Sequence, residues 1–170
     1  MESCSQFGES INESRFPLIF TPFLLFMALL EKYLVVKPST IPGAGDGLFT
    51  KTFIPKGTRI VEYKGRICTW KDVEHDHDNG YIYTVSDDHV IDAKKHKKAL
   101  ARYANDARGI SRIKGITNNC DYVNDGTKVY IEAKRDIEAG SEILVAYGKE
   151  YWDVIRNNIR VENNKKKLKK

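Results

Sequence analysis

All four histidines fall between His75 and His96 with no obvious nucleophile beside them, so neither a Ser-His-Asp nor a Cys-His arrangement is assigned. The run His75-Asp76-His77-Asp78-Asn79-Gly80 carries side chains that ligate metals. It is short, polar and rich in turn residues, reads as a solvated loop, and is assigned no metal. Cys4, Cys68 and Cys120 lie too far apart for a C-x-x-C pair, so neither a disulfide framework nor a thiolate zinc cluster is written here. A reducing interior fits such cysteines, and a cytoplasmic location is the expectation, with the nucleus left open. Gly43-Ala44-Gly45-Asp46-Gly47 is more informative, because alternating glycines let the backbone approach a ligand and present its amides and carbonyls to it. The run does not follow a strand and open a helix, so a dinucleotide or P-loop reading fails on context. Taken alone, a tight surface turn between Val36 and Leu48 is the better reading.

Whatever holds these residues must be built mostly from short strands, since beyond Lys32 apolar alternation is broken at close intervals by turn chemistry. The pattern predicts strands over Tyr33 to Val36, Gly47 to Lys51, Arg59 to Arg66, Tyr81 to Val85, His89 to Asp92, Lys128 to Ala133 and Glu142 to Ala146. Asn124-Asp125-Gly126 is a hairpin signal. Ile54-Pro55-Lys56-Gly57-Thr58-Arg59-Ile60 and Ile137-Glu138-Ala139-Gly140-Ser141-Glu142-Ile143 echo each other, one strand entry used twice. Ala99 to Ala104 reads as a short helical turn. Lys149 to Arg160 reads as an amphipathic helix, with Tyr151 or Trp152, Ile155 and Ile159 at helical spacing.

The 170 residues, 41% apolar and 30% charged, are enough for one core. Lys165, Lys166, Lys167, Lys169 and Lys170 account for the whole net charge of +5. The body is therefore near neutral, direct nucleic-acid binding is not expected, and residues 161–170 read as a disordered basic tail. The apolar run Phe16 to Leu30 is too short to cross a bilayer and is interrupted by Pro17 and Pro22. It also lacks the basic start and small-residue cleavage site of a signal peptide. Residues 1–26 read as an upstream extension, disordered or preceding the true start at Met27, and no membrane association is expected.

Several segments taken in order make a more specific pattern. Gly43-Ala44-Gly45-Asp46-Gly47-Leu48-Phe49, Glu62-Tyr63-Lys64-Gly65, Arg102-Tyr103-Ala104-Asn105-Asp106-Ala107-Arg108, Asn119-Cys120 and Gly140-Ser141-Glu142-Ile143-Leu144-Val145-Ala146-Tyr147-Gly148 resemble the signature of the SET-domain protein lysine methyltransferases. The resemblance covers roughly residues 33–152. It implies a mainly β fold with minor α: small twisted sheets, a pseudoknot that tucks the late tyrosine strand through a loop near the Asn motif, and a C-terminal helix over 149–160 closing the site. It further implies methyl transfer from S-adenosyl-L-methionine to a lysine amine of a protein substrate. A catalytically silent module that binds a lysine-bearing peptide is the rival.

Carried over residue by residue, the resemblance places Ala44, Gly45, Asp46 and Gly47 around the cofactor, largely through backbone atoms, with Asn105 and Asp106 beside them. It makes Tyr147 the first choice for the catalytic hydroxyl, sets Tyr63 and Tyr122 along the lysine channel, and puts Trp152 over the adenine ring. The chain has Asn105-Asp106 where many members have Asn-His, closer to the PR branch, and inserts residues 107–114 after it. Lys149 stands where a second tyrosine is common.

Overall fold

The structure is a computed structural model that describes residues 29–76 and 79–168. The expected extension over residues 1–26 lies outside the described residues, as do His77 and Asp78 of the histidine-rich loop.

Short strands form because β-branched and aromatic residues alternate only over a few positions before a turn residue intervenes. They assemble into three small antiparallel sheets among the described residues. Strands β1 (Leu34–Pro38) and β2 (Asp46–Thr50) pair from Leu34↔Thr50 to Pro38↔Asp46, so the alternating-glycine run is the tip of a hairpin. Gly43 and Gly45 have φ of +79° and +73°, a backbone that side chains resist, and Ser39 N donates to Gly45 O to close the loop. Strand β3 (Arg59–Glu62) joins the hairpin of β7 (Cys120–Asp125) and β8 (Lys128–Ala133) in the order β3-β8-β7. Strands β4 (Arg66–Cys68), β5 (Ile82–Ser86) and β6 (His89–Asp92) form the third sheet in the order β4-β6-β5.

Three strand expectations differ from this. The single strand expected over Arg59 to Arg66 is two, because Gly65 presses its backbone against Asp92 and the chain changes sheets there. A Cβ at Gly65 would lie 2.5 Å from the Asp92 carbonyl oxygen. Strand β7 was not expected; three of its six residues are the turn formers Asp121, Asn124 and Asp125, and pairing with β8 overrides that local preference. The strand expected over Glu142 to Ala146 forms only isolated bridges, Phe49↔Glu142, Asn105↔Leu144 and Cys120↔Val145. Those bridges reveal a threaded segment. Val145 N donates to Asn105 O on one side, while Asn119 N and Cys120 N both donate to Leu144 O on the other. The chain between these flanks folds back on itself through Ala107 N to Asn118 Oδ1 and Asn118 Nδ2 to Asp106 Oδ1, both 2.8 Å. Residues 142–147 thus lie between the two ends of a closed loop, an arrangement consistent with the pseudoknot that the resemblance implies.

The two echoing turns meet: Ile54 and Ile137 exchange both backbone hydrogen bonds at 2.9 Å. They and Leu48, Ile60, Val61, Val129, Ile131, Ile143 and Val145 are shut away from solvent in the common core. Leu100–Tyr103 is a single 3₁₀ turn within the expected Ala99 to Ala104 segment. Helix α1 runs from Lys149 to Leu168, well past Arg160, which corrects the expectation of a disordered tail beginning at residue 161. Residues 161–168 contain neither Gly nor Pro and are rich in lysine, a good helix former, so the helix propagates once its first turns are anchored.

Candidate active site

The threaded segment delivers Tyr147 to the junction of two cavities. One, of about 330 Å³, is walled by Tyr63, Tyr83, Tyr122, Tyr151, Ala104 and Asp121. The other, of about 990 Å³, is lined by Gly43, Ala44, Gly45, Asp46, Asn105, Asp106 and Trp152 among others. Tyr147, Tyr81, Arg102, Gly80 and Tyr151 belong to both, so a shared wall joins the aromatic cavity to the glycine hairpin.

The aromatic cavity is a tyrosine box. Tyr63, at the end of β3, meets Tyr122 of β7 edge to face, with ring centroids 5.9 Å apart, and Tyr83 of β5 lies 5.1 Å from Tyr122. Two hydroxyls are committed: Tyr63 Oη donates to Tyr81 O at 3.0 Å and Tyr83 Oη to Asn124 Oδ1 at 2.9 Å. The Tyr122 hydroxyl has no hydrogen-bond partner among the described residues. Tyr147 Oη donates to Ala104 O at 2.7 Å, which turns the phenol toward the Asn105 segment. Burial pushes the Tyr63, Tyr122 and Tyr147 phenols well above the ordinary tyrosine value, so all three are neutral near pH 7.

Asp106 ties the site together. Its Oδ2 accepts from Tyr147 N and from Trp152 Nε1, both at 2.8 Å, and its Oδ1 accepts from Arg108 N at 2.7 Å and Asn118 Nδ2 at 2.8 Å. Burial pushes this carboxyl up, but hydrogen bonds from Trp152, Tyr147, Arg108 and Asn118 outweigh burial and hold it below the usual aspartate value. An aspartate therefore locks the loop, the threaded segment and α1 together. The aspartate side chain is consumed by these bonds, so only its backbone is left to meet a ligand. Trp152 stacks on Tyr147, with ring centroids 5.8 Å apart and planes 12° apart, and faces the larger cavity.

Glu142, which the sequence reading did not single out, is the second tie. Its buried carboxylate accepts from Ser39 Oγ at 2.7 Å, Thr40 N at 2.8 Å, Thr40 Oγ1 at 2.5 Å and Asn105 Nδ2 at 3.1 Å. Asn105 Nδ2 also donates to Asp46 O at 3.0 Å, leaving Oδ1 as the amide's remaining polar atom. Gly47 does not line the cavity as expected. It is buried in β2 against Glu142, where a Cβ would fall 2.2 Å from Oε1. Arg102 was also missed as a wall residue; its guanidinium sits 4.0 Å over the Tyr81 ring and its Nε is buried without a partner. The signal for Glu142 was its place in the late motif, but only folding shows that it reaches across to Ser39 and Thr40.

The volume of the larger cavity falls in the range of cofactor sites, and the hairpin tip exposes backbone at Gly43 and Gly45 with open space beside each Cα. Asn105 Oδ1 is left as an acceptor on the cavity wall, whereas Arg102 Nε is buried behind it. Among the described residues no cluster of His, Cys, Asp and Glu could hold a metal ion, and no helix is long and apolar enough to cross a membrane.

Small antiparallel sheets, a late segment held between the ends of a loop and a tyrosine-walled cavity fit the SET class of fold. The SET domain family description matches residues 45–148, and the chain belongs to that family. It is 30% identical over 109 residues to mouse PR domain zinc finger protein 14, and 34% identical over 118 residues to the mouse and human proteins named histone-lysine N-methyltransferase, H3 lysine-36 specific. Each match takes in 62% of this chain. The chain spans only 18% of the first relative and 4% of the other two. The methyltransferase domain of human PR domain-containing protein 2 has the same fold, with a TM-score of 0.53 at 23% identity over 68% of this chain and 77% of that one.

Proposed function

We propose that this chain is a protein lysine N-methyltransferase that uses S-adenosyl-L-methionine. The observation that carries the reading is Tyr147 on the wall shared by the tyrosine box and the glycine-hairpin cavity, where a side chain entering from one face would meet a cofactor entering from the other. Family membership and the named methyltransferase relatives support it.

Gly43, Ala44, Gly45 and Asp46 would hold the cofactor through backbone atoms, with Asn105 Oδ1 accepting from it and Trp152 facing its flat end. Bound there, the cofactor supplies an electrophilic methyl group on a sulfonium. The chain contributes alignment and exclusion of water. Tyr63, Tyr83 and Tyr122 sheathe the alkyl stem of the lysine, and their faces attract it while it is still an ammonium. The ammonium must lose its proton to solvent water before its nitrogen can attack, and the neutral phenols line the channel without forming the ion pair that a phenolate would make with the ammonium. The Tyr122 hydroxyl is free to accept a hydrogen bond from the amine. Tyr147 Oη, anchored on Ala104 O, presents oxygen to the polarised methyl.

The test is incubation of the full chain with methyl-labelled cofactor and a whole-cell lysate, with Tyr147→Phe alongside and calorimetry of cofactor binding to both. Label on lysine that drops at least about tenfold in the variant, with cofactor affinity within about twofold, is the expected result. Cofactor binding without transfer by the wild type, or no binding, would leave a silent lysine-binding module as the function.

A further inference from the structure

A second concavity, of about 540 Å³, lies outside the tyrosine box and is lined by Glu31, Glu62, Lys64, Lys95, His96, Lys97, Lys98, Ala99 and Leu100. Its charges are unequally matched. Lys64 Nζ sits 3.0 Å from Glu31 and 3.9 Å from Glu62, so those carboxylates already share one cation. Lys95, Lys97 and Lys98 are exposed, and among the described residues none has a carboxylate partner.

A run of lysines usually belongs to a solvated loop, whose cations point anywhere. This one is held. His96 N donates to Ala93 O and Ala99 N to His96 O, two successive turns. Arg102 Nη2 donates to Lys94 O at 3.3 Å and Tyr103 Oη to Lys97 O at 3.0 Å, so two residues on the wall of the large cavity grip the carbonyls of the basic loop. Half-buried Ala99 and Leu100 add an apolar surface beside the charges.

The geometry points to a docking site for an acidic and apolar segment of a protein partner, carboxylates on Lys95, Lys97 and Lys98 and an aliphatic side chain over Ala99 and Leu100. Nucleic acid fits less well, because the apolar surface of Ala99 and Leu100 beside the charges suits an aliphatic side chain and a phosphate backbone has none to place there. The assignment goes beyond methyl transfer and does not depend on it. Lys97 also lines the large cavity, so an occupant here touches the rim of the proposed cofactor site.

The experiment is fluorescence anisotropy of the full chain with a short fluorescein-labelled peptide of alternating glutamate and leucine, its glutamine–leucine analogue, and a labelled oligonucleotide. The variants are Lys95→Gln/Lys97→Gln/Lys98→Gln and, as a control for charge elsewhere, Lys165→Gln/Lys166→Gln/Lys167→Gln. The expected result is saturable binding of the acidic peptide that weakens roughly tenfold in the first variant, as loss of three exposed charge pairs predicts. Binding should also fall with added salt, stay unchanged in the second variant, and be absent for the analogue. Thermal unfolding that matches the wild type shows the first variant folded. Acidic-peptide binding that is absent or insensitive to the loop charges, or an oligonucleotide that binds more tightly with the same loop dependence, overturns the assignment.

Discussion

Replacing Asp106 with asparagine should loosen the whole candidate site at once. The carboxylate accepts four hydrogen bonds, two on each oxygen, from Tyr147 N, Trp152 Nε1, Arg108 N and Asn118 Nδ2. An asparagine keeps one oxygen. Whichever way its amide turns, an NH₂ group faces two donors and two bonds are lost. Hydrogen bonds to a charged group contribute about 1.5–3 kcal/mol each. Asn118 can recover part of this by flipping its own amide, but only by giving up the bond its Oδ1 accepts from Ala107 N. The net loss should be about 3 kcal/mol, a large share of the roughly 5–15 kcal/mol that holds a domain together. Urea unfolding followed by tryptophan emission measures it, since Trp70 and Trp152 are the two tryptophans and Trp152 sits on this carboxylate. The midpoint should fall by about 1–2 M with the slope preserved. Acid gives a second reading. The folded Asp106 carboxyl lies below its unfolded value, so its stabilisation is complete above about pH 4 and disappears as pH falls through the folded value. The variant should lack that part of the acid limb. In a double-mutant cycle with Trp152→Phe the coupling should be about 1–2 kcal/mol. A loss under about 1 kcal/mol, or additive effects of the two changes, would refute Asp106 as the tie between loop, threaded segment and α1.

Other consequences follow from the same geometry. Asn105→Ala releases both the Asp46 carbonyl and Glu142, so cofactor affinity by calorimetry should fall about tenfold or more, and unchanged affinity would remove Asn105 from the site. Gly47→Ala would bring its Cβ to 2.2 Å from Glu142 Oε1, and chemical denaturation should show a loss of at least about 2 kcal/mol. A neutral result would mean that Glu142 moves freely. The buried phenols of Tyr63 and Tyr147 lie above their unfolded value near 10, so stability should hold up to about pH 10 and decline above it as the unfolded chain ionises first. An ultraviolet titration in which every tyrosine ionises near pH 10 in the folded protein would contradict this.

Strand periodicity and turn chemistry are local properties, and the sequence by itself determined most of what depends on them. Strands β6 and β8, the glycine hairpin tip and the turn between β7 and β8 stand where alternation and turn residues place them. Ordered motifs were enough for the family, because each keeps its own short spacing. Tertiary structure decided the rest. Glu142 to Ala146 alternates like a strand, yet its partners are the backbone at Asn105 and Cys120, set by a threading that no local pattern records. Arg59 to Arg66 reads as one strand until Asp92 packs on Gly65. Asp106 looks like a departure from the motif, and only the approach of Tyr147 and Trp152, each some forty positions away, makes it the knot of the site. Long-range hydrogen bonds of this kind join residues whose spacing along the chain carries no period, which is why they appear only once the chain has folded.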